Sequence, residues 1–168
     1  MKFVAPEPAM SLTRPPIPDP PHRGGCLCGA VRYSFNARPL AVNACHCRDC
    51  QHFTGATNFI SVYAPREAFV HEKGQVDRYR KRADSGNESD YFRCANCGCR
   101  LWHEPLVTPQ WTMVAAGTLD NPDWVVPTSH IWTSRAVPSA LIPPEVPSWE
   151  KGADRMELLK AFERAYGR

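Results

Sequence analysis

From Ala30 to Phe35 the chain alternates. Val31, Tyr33 and Phe35 are apolar, while Ala30, Arg32 and Ser34 are small or polar. Side chains two apart on a strand share a face, so this spacing predicts a half-buried β-strand. Phe59–Tyr63, Glu67–Val70, Ser89–Arg93, Arg100–His103 and Trp111–Ala116 are further short runs, rich in aromatic and β-branched residues, and read as strands too. Turn signals separate them at Lys73-Gly74, Ser85-Gly86-Asn87 and Asn121-Pro122. Many short strands with frequent turns argue for antiparallel sheets and against βαβ units. One helix is predicted, at the end of the chain. Asp154 caps it, Glu157 follows three residues on, and Met156, Leu159, Phe162 and Tyr166 recur on one face. The expected fold is mainly β: a small antiparallel β-sheet domain with a C-terminal helix.

Proline sets the borders. Seven of the seventeen prolines fall within the first 22 residues. Pro15, Pro16, Pro18, Pro20 and Pro21 withhold the backbone donors that a helix or central strand needs. Residues 1–21 therefore read as an extended arm, 22–150 as the folded body and 151–168 as the terminal helix. Pro138, Pro143, Pro144 and Pro147 predict that residues 137–149 wrap the body in extended form.

Composition changes the picture little. A chain of 168 residues is long enough to bury one real core. The net charge of +3 is modest, and Arg78-Tyr79-Arg80-Lys81-Arg82 reads as a solvated edge, not a nucleic-acid patch. No apolar run approaches the ~20 residues needed to span a bilayer. Met1-Lys2-Phe3-Val4 leads into proline instead of an apolar stretch, so no signal peptide is expected. A cytoplasmic location with reduced thiols follows, with neither nucleic acid nor membrane as a partner. The sequence leaves the oligomeric state open, a homodimer included.

The eight cysteines change it a great deal. They stand in three clusters: Cys26-Leu27-Cys28, Cys45-His46-Cys47-Arg48-Asp49-Cys50 and Cys94-Ala95-Asn96-Cys97-Gly98-Cys99. Each cluster is too local to staple distant segments by disulfides. Paired thiolates on tight turns suit tetrahedral zinc. The natural partition joins Cys26 and Cys28 to Cys94 and Cys97 in a closed four-thiol site. Cys45, Cys47 and Cys50 then remain as three ligands on one loop, with a coordination position left over. Two zinc ions per chain are expected. His46 should project away from the cysteines on either side of it. Cys99 is the odd sulfur: a free buried thiol, a spare ligand or a fourth ligand of the loop site.

These motifs resemble a known family. Gly24-Gly25-Cys26-Leu27-Cys28-Gly29-Ala30-Val31-Arg32-Tyr33 is similar to the opening motif of the glutathione-dependent formaldehyde-activating enzyme family, which also contains centromere protein V. Cys45–Cys50 followed by Thr54-Gly55-Ala56 resembles its second motif, and Phe92-Arg93-Cys94-Ala95-Asn96-Cys97-Gly98 with Leu101 its third. Ala116-Gly117-Thr118-Leu119-Asp120 and His130-Ile131-Trp132 resemble its later signatures. The chain departs from the pattern at Cys99, where a hydroxyl-bearing or other small polar residue is commoner. The resemblance implies a structural zinc on the first and third motifs and a catalytic zinc on the middle one.

It also implies a carbon–sulfur lyase acting on a glutathione–aldehyde adduct of the S-hydroxymethylglutathione type. Three thiolates make a zinc site electron-rich, which favours a fourth sulfur ligand such as a substrate thiol over an acidic water. Arg48 is a candidate for holding a substrate carboxylate and His52 for relaying a proton. Trp102, Trp111, Trp124 and Trp132 read as core. The alternative is a non-catalytic, zinc-stabilised carrier of glutathione or another ligand, or an interaction protein.

Overall fold

A computed structural model describes residues 13–83 and 86–167. Ser85 of the predicted turn, Met1–Val4 and the first twelve residues of the arm lie outside the described residues. Strands β1 (His22–Gly25) and β2 (Arg32–Phe35) form a hairpin around the first cysteine pair. Strand β3 (Ala41–Cys45) runs into helix α1 (Arg48–Thr54), and β4 (Phe59–Pro65) returns beside β3. Then come β5 (Phe69–Lys73), β6 (Val76–Arg82), β7 (Glu88–Cys94), β8 (Arg100–Pro105) and β9 (Trp111–Ala115). The chain ends with β10 (Ser129–Ile131), β11 (Ser148–Trp149) and α2 (Arg155–Tyr166).

The strands build a three-stranded sheet, β1-β2-β5, and an eight-stranded sheet, β11-β10-β3-β4-β9-β8-β7-β6. The fold is mainly β with a C-terminal helix, and most neighbours are antiparallel. The exception is β10, which pairs in parallel with both β3 and β11. A parallel neighbour needs a long crossover, and the whole run from α1 to β9 lies between β3 and β10. Strand β6, which carries the basic run, is an edge strand that is mostly exposed. Its charges pair locally: Arg80 with Asp90 at 2.7 Å and Lys81 with Asp49 at 2.6 Å. Charged, solvated side chains of this kind protect a sheet edge from pairing with other chains.

The alternation from Val31 to Phe35 holds in three dimensions. Val31, Tyr33 and Phe35 have no exposed surface. They pack with Val62, Phe69, Leu101, Trp102 and Val114 between the two sheets. Gly24 sits in a vice. A Cβ there would stand 2.3 Å from Tyr33 Oη and 2.5 Å from the Thr118 carbonyl oxygen. Only glycine lets β1 lie this close to the 116–118 turn. Trp102, Trp111 and Trp124 are buried as expected, while Trp132 is only half-buried.

The terminal helix differs in register from the predicted stripe. Asp154 Oδ1 caps it, accepting from the Met156 N–H at 2.8 Å. The buried face is Leu158, Ala161 and Phe162, whereas Met156 is exposed. Leu159 and Tyr166 are half-buried at the flank. Helix α2 lies against β3 and β10, and the residues it buries, at 158, 161 and 162, share one face at i, i+3 and i+4. The described part of the arm lies along the body. Ile17 packs on the core and Arg14 Nη2 donates to the Pro127 carbonyl at 3.1 Å.

Candidate metal centres and the cavities beside them

Two turns bring the first sulfur group together. Cys26 and Cys28 lie in the β1–β2 connection, and Cys94 and Cys97 at the β7–β8 turn. Gly29 and Gly98 take positive φ of 73° and 71° there, which a non-glycine residue adopts only under strain. Their N–H groups close the turns onto the carbonyls of Cys26 and Cys94. The four sulfurs lie within 4.8 Å of one another. The Val31 N–H donates to Cys26 Sγ at 3.2 Å and Asn96 Nδ2 to Cys28 Sγ at 3.3 Å. These donors favour the thiolate. Asn96, the Ala30 backbone and Cys26 pull the Cys28 thiol down to about 6. No disulfide joins any of the eight cysteines. Four thiols gathered this way could hold a metal ion, and the donor set suits zinc.

The second group is local. Cys45 ends β3, Cys47 is the N-cap of α1, and Cys50 lies in its first turn. Their sulfurs also fall within 4.8 Å of one another, and no fourth ligand joins them among the described residues. Cys47 Sγ accepts from the Cys50 N–H at 3.4 Å. The Cys45 and Cys50 thiols and the N–H groups of Cys50 and Asp49 together push the Cys47 thiol well below its ordinary value. Anionic sulfur at a helix N-terminus is favourable for this reason. This trio too could hold a metal ion.

His46 turns away from the sulfurs, and its Nε2 stands 2.9 Å from His130 Nδ1. Arg48 is exposed, and its Nη1 donates to Gln51 Oε1 at 2.6 Å. The His52 side chain is exposed and makes no hydrogen bond to a described residue. Positions two apart on a helix are about 200° apart around its axis, so Cys50 and His52 face different ways. Cys99 belongs to neither sulfur group. It is half-buried, with its thiol 3.7 Å from the Arg100 carbonyl.

Several residues at the site escaped the reading of the sequence. The Arg100 guanidinium lies 3.7 Å above the Phe59 ring, with Tyr91 and Phe53 at 5.0 and 5.2 Å. Its Nη2 donates to His103 Nδ1 at 3.4 Å, while buried Nε and Nη1 find no acceptor in hydrogen-bonding geometry. Burial lowers the arginine pKa, and the nearby Cys50 sulfur opposes that by attracting the cation. Burial and the neighbouring cation keep His103 neutral, as an acceptor must be. Its place directly after Cys99 was the only signal in the sequence that could have pointed to Arg100. Gln51 Nε2 donates to the His46 carbonyl at 2.7 Å and to the Arg135 carbonyl at 3.0 Å, tying α1 to the 133–135 turn.

One cavity borders α1 and a second borders the 133–135 turn. The first, about 590 Å³, reaches from Cys97 to α1 and is lined by Leu27, Phe53, Phe59, Cys99, Arg100 and Thr118, among others. The other, about 600 Å³, includes Tyr63, Ile131, Trp132, Arg135, Lys151 and Arg155 in its wall.

Comparison with known proteins bears on this arrangement. The family model described as glutathione-dependent formaldehyde-activating enzyme matches residues 21–135, which include all eight cysteines. No curated protein matches the chain. A crystal structure of a Rhodobacter sphaeroides protein, a structural genomics target, is similar at 18% identity. It matches over 76% of this chain and 99% of its own, with a TM-score of 0.47. On the extent of the family match, the chain belongs to the glutathione-dependent formaldehyde-activating enzyme family.

Proposed function

We propose that the protein is a zinc-dependent enzyme of the carbon–sulfur lyase type, acting on a glutathione–aldehyde adduct. In this reading Cys26, Cys28, Cys94 and Cys97 hold a structural zinc, and Cys45, Cys47 and Cys50 hold the working one. The observation that carries the reading is the inequality of the two groups. One offers four sulfurs, which closes a tetrahedral site; the other offers three, which leaves a position for a substrate.

Zinc on three thiolates would supply a soft open position that favours a further sulfur donor as thiolate. The chain's own residues do the rest. The N-terminal N–H groups of α1 support charge on Cys47. Arg100 sets a fixed cation beside Cys50, offsetting the surplus charge of the thiolates. Phe53 and Phe59 form an apolar wall that limits water. The reaction joins a thiol sulfur to the carbonyl carbon of formaldehyde and delivers the thiol proton to the carbonyl oxygen. Cleavage of the adduct reverses both. His52 is proposed as the proton relay and Arg48 as a carboxylate contact. Both side chains are exposed, so the relay works through solvent at the mouth of the site. Eight free cysteines suit a reducing, cytoplasmic compartment.

A second reading has one observation in its favour. His52 makes no contact that would aim it at the sulfurs, which suits a glutathione carrier without turnover. The test is the rate of S-hydroxymethylglutathione formation by zinc-loaded protein, followed by exchange NMR. A rate well above background, with zinc near two per chain, is expected. A background rate from protein that binds glutathione selects the carrier. In cobalt-substituted protein, thiolate ligation should shift the d–d bands when glutathione is added but not with S-methylglutathione.

A further inference from the structure

The cavity walled by Tyr63, Ile131 and Trp132 is positively charged, and through Ile131 its wall lies one strand away from Cys45. Arg135, Lys151 and Arg155 line it, and no aspartate or glutamate does. None of the three pairs with a described carboxylate. Asp154, the nearest acid in sequence to Arg155, is committed to capping α2. Arg155 Nη1 is steadied by the Val107 carbonyl at 3.2 Å.

The link to the sulfurs is structural. Ile131 is the register partner of Cys45 in the parallel β10–β3 ladder. Tyr63 is buried, and its hydroxyl accepts from Asn43 Nδ2 at 3.5 Å, on the strand that ends in Cys45. Gln51 hydrogen-bonds the Arg135 carbonyl, which fixes the 133–135 turn to the helix that carries Cys50. Trp132 holds a left-handed backbone at φ 59°, the only positive-φ non-glycine among the described residues. Such strain persists only where the surroundings impose it, and it clusters at ligand-binding elements.

We propose that this cavity is the carboxylate-binding half of the substrate site, and that it selects acidic thiols over neutral ones. The inference rests on the proposed working role of the three-thiol group. A thiol peptide with a carboxylate at each end can place its sulfur at the cysteines while a carboxylate meets Arg135 and Lys151 or Arg155. Guanidinium–carboxylate pairs are directional and charge-assisted, so they fix orientation as well as affinity. The cavity opens past Arg135 and Lys151, which are exposed. The pairing there should therefore be sensitive to salt.

The experiment uses the zinc-loaded full chain and titrates glutathione, glutathione dimethyl ester, S-methylglutathione and 2-mercaptoethanol by calorimetry. It compares the parent protein with the double variant Arg135→Gln, Lys151→Gln. Glutathione should bind the parent at least tenfold tighter than its diester. The double variant should lose about tenfold for glutathione and almost nothing for the diester. In turnover, KM should rise with kcat held within about twofold, and 0.5 M salt should erase most of the parent's preference. Equal binding of diester and glutathione to the parent overturns the inference but leaves the three-thiol reading standing. An equal loss for both ligands in the variant also overturns it, since that is a packing effect. If no thiol engages the cysteines, the three-thiol reading falls. The cavity then stands on S-methylglutathione, which must still bind the parent at least fivefold tighter than the double variant.

Discussion

His46 Nε2 and His130 Nδ1 meet at 2.9 Å with their rings stacked 5.3 Å apart, both side chains buried. One proton lies between the two nitrogens, so one ring donates and the other accepts. This bond reinforces the β3–β10 crossover at the point where the chain enters the three-thiol loop. His130→Phe strands His46 Nε2 without a partner. A loss of about 1–3 kcal/mol is expected from urea melts. A double His46→Phe, His130→Phe variant should lose less than the sum of the single changes, because it removes both polar partners. Additive single losses would show that the bond contributes nothing of its own.

The same pair predicts an acid-sensitive fold. Burial, then repulsion from His46, pulls His130 down to about 4, and burial alone lowers His22 between Phe35 and Trp124. A histidine whose folded pKa lies below its unfolded value binds fewer protons when folded. Its contribution is complete above about pH 6.5 and is lost as pH falls toward 4. Denaturant midpoints should decline across that window, and His130→Phe should flatten part of the decline. A midpoint constant from pH 7 to 4 would contradict the assignment.

The two sulfur groups should fail differently. Cys97→Ser opens the group that bridges the two sheets, and should leave the chain unfolded or aggregated, since metal binding to such a site is folding free energy. Cys50→Ser should give a folded domain that keeps one zinc and loses the other. Thermal melts with elemental analysis decide the matter; equal melting of the two variants contradicts the division of roles. Cys99→Ser should retain both metals, because its thiol lies outside both groups.

Arg100→Met keeps most of the side-chain volume over Phe59 and removes the cation beside Cys50. The fold should survive with a shift of under about 1.5 kcal/mol, the usual range for a volume-conserving change. Metal affinity of the loop group should drop by about tenfold, as for other groups that support a metal's ligands. Competition with a chromophoric chelator measures this. Unchanged affinity would remove Arg100 from the site.

Gly24→Ala tests the close approach of β1 to the 116–118 turn. The new methyl meets a tyrosine hydroxyl and a backbone carbonyl at once, so a flexible side chain cannot simply step aside. A cost of about 1–3 kcal/mol is expected in urea melts. A change under about 0.5 kcal/mol would show that the two sheets separate easily.

The parts legible in the sequence are those where short-range pattern and tertiary environment agree. Strand β2 has one face in the core and the other partly exposed, so its alternation survives. The cysteine partition was readable because each pair sits on its own tight turn. Strand β3 was missed because all five residues are buried, and a strand covered on both faces shows no alternation. Helix α1 buries none of its seven residues and so carries no apolar stripe. Arg135, Lys151 and Arg155 come together through the parallel β10–β11 pairing, which no local signal announces.

The bridging sulfur group also sets an order of events during synthesis. Cys28 and Cys94 are 66 residues apart, so the first pair leaves the ribosome well before the second. At roughly 5–20 residues per second the wait is on the order of 3–13 s. Cys45, Cys47 and Cys50 emerge together within that interval, and can gather around a metal while the first pair is still alone. The nascent chain thus carries two unmatched thiols through much of its translation, open to oxidants and to stray metals. Thiol labelling of ribosome-bound chains stalled before and after Cys97 would read that exposure directly, as strong labelling of Cys28 that fades once the second turn has formed.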